Sequence, residues 1–230
     1  MRSRGANVLR LVALDMDGTL VDVPSSWAMV HAHFGDANPE GLRRFMAYEI
    51  DDLEFIRSDV RIWWRHRPDL SLGEIGRILD RAPLMPGASE LIRGLRARGA
   101  RTAIVSGGID LLARRIADEL GIDVVLANGF RVDAAGRLTG EGIVRVPIHR
   151  KADVLADLQA RLGVDPSETA SVGNSEIDVG LFRRSRIGVA FRPEDDAVRH
   201  GASAIVEDGS LERVLDVLSA FPSDPAPPSA

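Results

Sequence analysis

An apolar run that ends in two closely spaced acidic residues is the feature that most constrains the fold of this chain. The run Leu11 to Leu14 is followed by Asp15-Met16-Asp17-Gly18-Thr19. A buried parallel strand has this character, and open α/β sheets bind ligands beyond the carboxyl ends of their strands. Because side chains alternate along extended backbone, Asp15 and Asp17 can point to the same side of the strand tip. Two carboxylates and a hydroxyl there suit a hard cation and a phosphate, whereas a strand with a simple acidic Asp-Gly turn is the structural alternative.

The composition indicates a globular α/β protein and excludes several classes of site. The 230 residues, 45% of them hydrophobic, suffice for one sizeable domain with an insertion. No cysteine is present, which excludes disulfides and thiolate chemistry and fits a reducing cytosol. The N-terminal residues do not read as a signal peptide, and no run of 18 apolar residues occurs. We therefore expect a soluble, cytoplasmic protein with no membrane contact. A net charge of −5 without a basic run argues against nucleic acid binding.

Strands and helices alternate over most of the sequence, which predicts a Rossmann-like parallel sheet with right-handed crossovers. The predicted strands cover residues 8–14, 101–105, 123–126, 169–172, 187–191 and 204–206. The predicted helices cover 88–98, 109–120, 151–162, 176–184 and 210–219. A hairpin is predicted at 129–145, with its turn between Asp133 and Gly136.

A helical insertion interrupts this pattern after the first strand. Apolar residues recur at three- and four-residue spacing, which predicts helices at 25–34, 40–50, 53–65 and 72–81. We assign residues 1–21 and 82–220 to the α/β core domain and 22–81 to a helical cap domain. Residues 221–230 contain four prolines and are predicted to be a disordered tail. Trp63 and Trp64 indicate either the core of the insertion or a contact between copies, such as a homodimer.

Three further groups of candidate residues fall at predicted strand ends or helix starts. Ser106-Gly107-Gly108 follows an apolar strand, where backbone N–H groups and a helix dipole could hold an anion; an N-cap with flexible glycines is the alternative. Lys151 lies in the first turn of a helix, where its charge opposes the helix dipole at a small cost, which indicates a functional role; a solvated surface charge is the alternative. Gly173 to Asp178 follows another strand, and it can also be read as a loop in which Ser175 caps a helix.

These motifs, in this order, resemble those of the haloacid dehalogenase superfamily of phosphotransferases. The resemblance covers roughly residues 8–215 and rests on Asp15 to Thr19, Ser106, Lys151 and Gly173 to Asp178. Within the superfamily the chain is most similar to the phosphoserine phosphatase branch. The features that support this branch are Val105 to Gly108, Leu138-Thr139-Gly140 in a hairpin, and the helical insertion.

The resemblance implies a role for each matched residue. Asp15 would be the nucleophile that forms an aspartyl-phosphate, and Asp17 would act as general acid and then as general base. Thr19, Ser106, Gly107 and Lys151 would bind the phosphate. Magnesium would be held by the Asp15 carboxylate, the Asp17 backbone carbonyl, Asn174 and Asp178.

Two departures from the family pattern bear on metal binding and on substrate choice. Asn174 stands where the family has a metal-binding aspartate, and an amide offers a carbonyl oxygen without the charge. We expect weaker magnesium binding by about 1–3 kcal/mol. Pro24 stands where phosphoserine phosphatases carry the glutamate that holds the substrate's amino group. Arg57 and Arg61, one turn apart on the insertion, are either a clamp for a substrate carboxylate or second phosphate, or solvated surface charges.

The expected function is therefore that of a magnesium-dependent phosphomonoester hydrolase acting on a small phosphorylated metabolite. A phosphotransferase or mutase of the same superfamily is one alternative. The other is a non-catalytic protein that binds a phosphorylated ligand, which only Asn174 favours. In the leading hypothesis, the insertion closes over the site, excludes water and selects the leaving group.

Overall fold

A single seven-stranded sheet organises the protein, whose computed structural model describes residues 8–220. The spatial order of the strands is β4-β3-β2-β1-β5-β6-β7, and every pairing except that of β3 with β4 is parallel. The strands are β1 (Leu11–Leu14), β2 (Arg101–Ile109), β3 (Val124–Val132), β4 (Leu138–Ile143), β5 (Thr169–Gly173), β6 (Ile187–Phe191) and β7 (Ala204–Val206). The predicted α/β class is confirmed, with one antiparallel edge strand.

Ten α-helices lie between these strands in the described part of the chain. They are α1 (Ser26–His33), α2 (Pro39–Met46), α3 (Asp52–His66), α4 (Leu72–Leu79), α5 (Ala88–Ala97), α6 (Asp110–Leu120), α7 (Lys151–Leu162), α8 (Val179–Arg183), α9 (Asp196–Gly201) and α10 (Glu212–Ser219). Local chemistry explains several of their ends. Ser71 and Glu74 form a reciprocal capping box at the start of α4, and α7 stops at Gly163 in the left-handed conformation.

The central position of β1 determines where the acidic motif lies. All four residues of β1 are buried, and the strand pairs with β2 on one side and β5 on the other. Leu14, its last residue, is in register with Ile104 of β2 and Val172 of β5. The chain segments that follow these three strands therefore leave the sheet at the same edge, where ligands of such sheets bind.

The helices α1 to α4 form the predicted insertion and pack onto the sheet rather than standing apart from it. Ile56, Val60 and Trp63 of α3 belong to the same hydrophobic cluster as Leu14 of β1 and Ile104 of β2. Trp63 is fully buried and stacks against Trp27, so it is a core residue of the insertion. The division into a core domain and a cap at residues 22–81 stays a prediction.

Several boundaries differ from the sequence-based expectation. Strand β1 begins at Leu11 rather than at residue 8, α2 ends at Met46 rather than at residue 50, and α9 was not predicted. Three further differences concern the site and its surroundings. Strand β2 continues through Ser106-Gly107-Gly108, which was expected to be a loop after residue 105, although its register with β3 shifts there. Strand β3 is continuous where a short strand at 123–126 and a separate hairpin arm were expected. Its first half pairs in parallel with β2, and its second half pairs antiparallel with β4. The expected helix 176–184 is a 3-10 turn, Glu176–Asp178, followed by α8.

Two remaining expectations concern the chain termini and the membrane. The predicted disordered tail at 221–230 lies outside the described residues. Among residues 8–220, no helix is both long enough and apolar enough to cross a membrane.

Candidate active site

A buried lysine joins two carboxylates at the strand edge described above. Asp15 directly follows β1, Lys151 is the first residue of α7, and Asp178 ends the 3-10 turn after β5. The Nζ of Lys151 donates to Oδ1 of Asp15 at 2.6 Å and to Oδ1 of Asp178 at 2.7 Å. All three side chains are buried. We call Asp15, Lys151 and Asp178 the strand-end cluster; it brings together residues from three distant parts of the sequence.

The charges of the strand-end cluster depend on burial. Burial raises the pKa of the Asp15 carboxyl to about 7, although the ammonium of Lys151 opposes this rise. Burial alone would lower the pKa of Lys151, but the two adjacent carboxylates raise it. The lysine therefore stays protonated, and when both carboxylates are ionised it compensates only one of their two charges. A further positive charge at this edge is favoured by Coulomb attraction.

Lys151 is also the only lysine in the chain. All the other basic positions counted with it, among 29 lysines and arginines, are arginine. A compact ammonium can sit between two carboxylates at hydrogen-bond distance, whereas a planar guanidinium needs more room and a forked geometry. This compositional signal was not used in the sequence analysis, and it marks the position independently of any motif.

Asp17 is held through one oxygen and leaves the other without a partner. Its Oδ2 accepts hydrogen bonds from the backbone N–H and the hydroxyl of Ser26, both at 2.8 Å. Its Oδ1 is buried and has no hydrogen-bond partner among the described residues. Burial raises the pKa of Asp17, with the Ser26 hydrogen bonds acting in the opposite direction. A proton on Oδ1 would relieve the cost of burying this charge.

The end of β2 lies against Asp17 and contains the candidate phosphate-binding residues. Ser106 is buried, and its Oγ accepts from the N–H of Gly108 at 3.2 Å. A Cβ on Gly108 would lie 2.8 Å from Oδ2 of Asp17 and 2.9 Å from Oγ of Ser26, so only glycine allows this approach. The carbonyl of Gly107 accepts from Nε1 of Trp27 at 3.0 Å, which ties the insertion to this strand end.

Thr19 and Asn174 face each other across the turn that follows β1. Both side chains are buried, and Oγ1 of Thr19 lies 3.5 Å from Oδ1 of Asn174. Between Asp17 and Thr19, Gly18 has a left-handed φ of 70°. A Cβ on Gly18 would lie only 2.3 Å from Nδ2 of Asn174. The fold therefore brings the first and last motifs into direct proximity.

A narrow cleft of about 10 Å³ lies between the insertion and the core, beside the candidate phosphate-binding residues. Its walls combine apolar and acidic side chains with the backbone of β2, and they are formed by Trp27, Asp52, Phe55, Ile56, Asp59, Gly107, Asn128 and Ile148. Pro24, which stands where the family has the glutamate that binds an amino group, and Asp22, the nearest acid to it, do not line this cleft. Pro24 is exposed, and Asp22 is exposed and paired with Arg192.

Arg57 and Arg61 are engaged in ion pairs along the surface of the insertion. Arg57 donates to both carboxylate oxygens of Glu141, at 3.2 and 2.7 Å, and lies 3.6 Å from Glu54. Arg61 pairs with Glu54 at 2.8 Å and is largely exposed. These contacts favour the surface-charge interpretation, and the role of both residues in specificity stays a prediction.

The structure adds three residues that the sequence analysis did not single out. Ser26 holds Asp17, and Asn128 donates to the carbonyls of Gly107 and Val146. Glu194 accepts a hydrogen bond from Nδ2 of Asn174 at 2.9 Å. All three act on another candidate residue or on its loop, and they come from separate elements. Only the pairing of Ser25 and Ser26 before an apolar helix carried a signal, and it reads as an ordinary N-cap.

Comparison with known proteins settles the family. The sequence model of haloacid dehalogenase-like hydrolases matches residues 12–183. The chain belongs to this family. The match includes the segments that carry Asp15, Lys151 and Asp178.

Similar curated proteins are phosphoserine phosphatases. The chain is 31% identical over 206 residues to a phosphoserine phosphatase of Archaeoglobus fulgidus, covering 89% of this chain and 57% of the relative. It is 29% identical over 216 residues to one from Albidiferax ferrireducens, covering 90% and 89%. The chain thus spans only about half the length of some of these relatives, including one from Streptomyces coelicolor with 50% covered.

A solved structure supports the same fold. A substrate-bound phosphoserine phosphatase complex superposes with a TM-score of 0.77 at 24% identity, covering 91% of this chain and 98% of that chain. At this identity the likeness supports the fold alone.

The donor set at the strand edge fits the magnesium ion that the family resemblance implies. Magnesium prefers oxygen ligands, and the predicted set consists of carboxylate, amide and backbone carbonyl oxygens. The buried Oδ1 of Asp17, which has no partner, lies in the same loop. No three His, Cys, Asp or Glu side chains among residues 8–220 form a metal-binding group by themselves. The predicted set therefore depends on the amide oxygen of Asn174 and the backbone of Asp17.

Proposed function

We propose that this chain hydrolyses phosphate monoesters of small metabolites through an aspartyl-phosphate on Asp15. The observation that carries this proposal is the strand-end cluster beside the unpartnered Oδ1 of Asp17. A nucleophile, a cation and a carboxyl group able to carry a proton then lie within one sheet edge. The similarity to phosphoserine phosphatases supports the same reaction class.

In the first half of the reaction, Asp15 attacks the phosphorus atom. Because Lys151 binds Oδ1, we assign the attack to Oδ2 of Asp15. A bond forms between this oxygen and phosphorus while the bond from phosphorus to the ester oxygen breaks. The leaving alkoxide takes a proton from Oδ1 of Asp17, which burial keeps basic enough to hold one. Lys151 compensates the negative charge that Asp15 and the phosphoryl group share.

In the second half, water replaces the aspartyl group. Asp17 removes a proton from the attacking water, the bond between Asp15 and phosphorus breaks, and inorganic phosphate leaves. Thr19, Ser106 and the N–H of Gly107 would bind the phosphoryl oxygens. When bound to Asp15, the backbone of Asp17, Asn174 and Asp178, magnesium would neutralise negative charge on the phosphoryl group.

The leaving group would lie between the insertion and the core, next to Trp27, Phe55 and Ile148. The cleft there measures only about 10 Å³, so the insertion would have to move away from the core to admit an alcohol. Because Pro24 is exposed and Asp22 is paired with Arg192, no acid at those positions holds an amino group as in the family pattern. We therefore place the substrate among small phosphomonoesters without assigning phosphoserine.

The proposal is tested by p-nitrophenyl phosphate hydrolysis with and without magnesium. We expect magnesium-dependent release of nitrophenol that Asp15→Asn lowers by more than about 1,000-fold. Asp118→Asn is the matched control, because Asp118 is exposed on α6. Tight binding of a phosphorylated ligand without release would instead support the non-catalytic alternative suggested by Asn174.

The ratio of products separates hydrolysis from phosphoryl transfer. Hydrolysis yields one inorganic phosphate for each nitrophenol. An excess of nitrophenol over phosphate in the presence of added alcohols would support a phosphotransferase. A screen of phosphorylated metabolites, with phosphoserine included, then identifies the leaving group.

A further inference from the structure

Asn174, which replaces the acidic residue expected at the metal site, is held by a glutamate from a different loop. Glu194 follows β6, and its backbone N–H donates to the carbonyl of Asn174 at 2.8 Å. Its Oε1 accepts from Nδ2 of Asn174 at 2.9 Å. Two hydrogen bonds, one from the main chain and one between side chains, therefore fix Glu194 against a buried amide.

The contact with Glu194 determines which way the Asn174 amide faces. An ionised carboxylate only accepts hydrogen bonds, so it selects the NH2 side of the amide. The carbonyl oxygen is then turned away from Glu194 and toward Thr19, whose Oγ1 lies 3.5 Å away. Only this oxygen of the Asn174 side chain can bind a hard cation. Glu194 thus orients the side-chain carbonyl oxygen of Asn174 toward the predicted metal site.

Glu194 also supplies negative charge close to where the family pattern has it. Replacing an aspartate with Asn174 removes one charge, and Oε1 of Glu194 lies one hydrogen bond behind the amide. Both groups lie over Gly18, since a Cβ there would be 2.3 Å from Nδ2 of Asn174 and 3.5 Å from Oε1 of Glu194. Gly18 immediately follows Asp17, whose backbone carbonyl belongs to the predicted magnesium ligands, so this charge lies beside the loop that would hold the ion.

We propose that Glu194 is a positioning residue that compensates for Asn174 by orienting its carbonyl oxygen and by restoring the missing charge. This inference rests on the magnesium site of the proposed function. Outer partners that orient a ligand and raise its negative charge commonly contribute 10- to 100-fold in metal affinity. Asn174 would then supply the ligand oxygen and Glu194 the negative charge that a single aspartate supplies in the family pattern.

The test measures magnesium binding to the purified, chelator-treated protein by calorimetry, without reference to turnover. Glu194→Gln should weaken magnesium binding by about 10-fold, because the charge is lost and the new amide can present either of its ends to Asn174. Glu176→Gln is the matched control, since Glu176 is an exposed acid on the same loop as Asn174. It removes the same charge and should change the affinity by less than about twofold.

A second pair of variants distinguishes compensation from a general charge effect. Asn174→Asp places two carboxylates face to face and should lower the melting temperature of the metal-free protein. Adding Glu194→Gln to that variant should raise the melting temperature again, because the glutamine amide can donate to the new carboxylate. The same substitution is therefore harmful to metal binding in one background and stabilising in the other.

The outcomes separate this inference from the proposed function. Equal magnesium affinities for the original chain and Glu194→Gln would overturn the role of Glu194 and leave the metal site standing. A failure of all variants to bind magnesium, Asn174→Asp included, would overturn both. If Glu176→Gln lost as much magnesium affinity as Glu194→Gln, the loss would be explained by long-range electrostatics alone, and the inference would also be overturned.

Discussion

Two buried clusters of acidic and basic side chains differ in whether their hydrogen-bonding atoms and charges are matched by partners within the protein. In the insertion, Oδ1 of Asp59 accepts from Nε2 of His31 at 2.8 Å and from Nδ2 of Asn38 at 2.7 Å. The Nε1 of Trp63 donates to Nδ1 of His31 at 3.1 Å. Because a tryptophan N–H can only donate, Nδ1 of His31 accepts, and the imidazole proton lies on Nε2. We call this group the cap network.

The strand-end cluster is equally buried but is not closed in the same way. One ammonium compensates two carboxylates, and a neighbouring carboxyl oxygen of Asp17 has no partner. In the cap network, the two ring nitrogens of His31 and the acceptor oxygen of Asp59 are matched by donors and acceptors of the protein. A buried network whose polar atoms are matched within the protein contributes to folding. An equally buried cluster with an unmatched oxygen and an unmatched charge can bind a ligand at those groups. The following variants test this distinction.

The largest effect is expected for Lys151→Met. Removing the ammonium leaves Asp15 and Asp178 facing each other without a cation. In the proposed mechanism, the charge shared by Asp15 and the phosphoryl group is then no longer compensated. We expect kcat/KM for p-nitrophenyl phosphate to fall by about 1,000-fold. Lys151→Arg keeps the charge but cannot fit between oxygens at 2.6 and 2.7 Å, and it should lose at least about 100-fold. Near-normal activity of either variant would contradict the role of the cluster.

The cap network should affect stability more than chemistry, even though Asp59 also lines the cleft beside the candidate site. Asp59→Ala leaves His31 and Asn38 without their buried acceptor, and we expect the free energy of unfolding to fall by about 3 kcal/mol. Urea unfolding measures this change, with Asp157→Ala on the exposed face of α7 as the control. The kcat at low temperature, where the variant remains folded, should stay within about tenfold of the original value. A loss of kcat comparable to that of Lys151→Met would place Asp59 in the active site.

The comparison also shows which features a single sequence can predict. Helix α7 was predicted with its observed ends because Gly163 stops it in a left-handed conformation. The convergence of Asp15 and Ser106 followed from strand ends that meet at one edge, whereas Lys151, at the start of a helix, was placed with them by the family resemblance. Such features depend on local pattern and on the general geometry of parallel sheets.

Features that depend on tertiary hydrogen bonds could not be predicted in this way. Asn128-Gly129 has the composition of a turn, yet β3 passes straight through it because the Asn128 side chain bonds Gly107, Val146 and the N–H of Arg145. Glu194 lies twenty residues from Asn174, and only the neighbouring positions of β5 and β6 bring them together. Neither contact has a local periodicity or spacing that a sequence displays.

A smaller effect, of opposite sign, is expected for Asp17→Asn. The pKa of Asp17 is raised by burial in the folded state, so this group stabilises the fold below its ordinary pKa of 3.8 and loses that contribution as the pH rises through the folded value. An asparagine does not titrate. Metal-free Asp17→Asn should therefore be more stable than the original chain by about 1 kcal/mol at pH 8, with the difference shrinking toward pH 4.

Thermal unfolding of both proteins across this pH range, in the presence of a chelator, provides the measurement. Activity should fall in the same variant because the proposed proton donor is lost. The opposite result would be a stability difference between Asp17→Asn and the original chain that favours the variant less at pH 8 than at pH 4. It would show that the protein stabilises the ionised Asp17 carboxylate well, and the interpretation of this end of the sheet as incompletely matched would be wrong.

The smallest effect is expected at the arginines on the outer face of the insertion. Arg61 is largely exposed and pairs with Glu54, a partner on its own helix, and such a pair is screened by solvent. Arg61→Ala should change KM by less than about twofold for any substrate found in the screen. Arg57→Ala removes the link to Glu141 on β4, so comparing the two variants separates a contact between insertion and sheet from direct recognition. A tenfold or greater rise in KM for both variants, with kcat unchanged, would indicate that the two arginines bind a second anionic group of the substrate. The binding site would then extend from the strand ends onto the insertion.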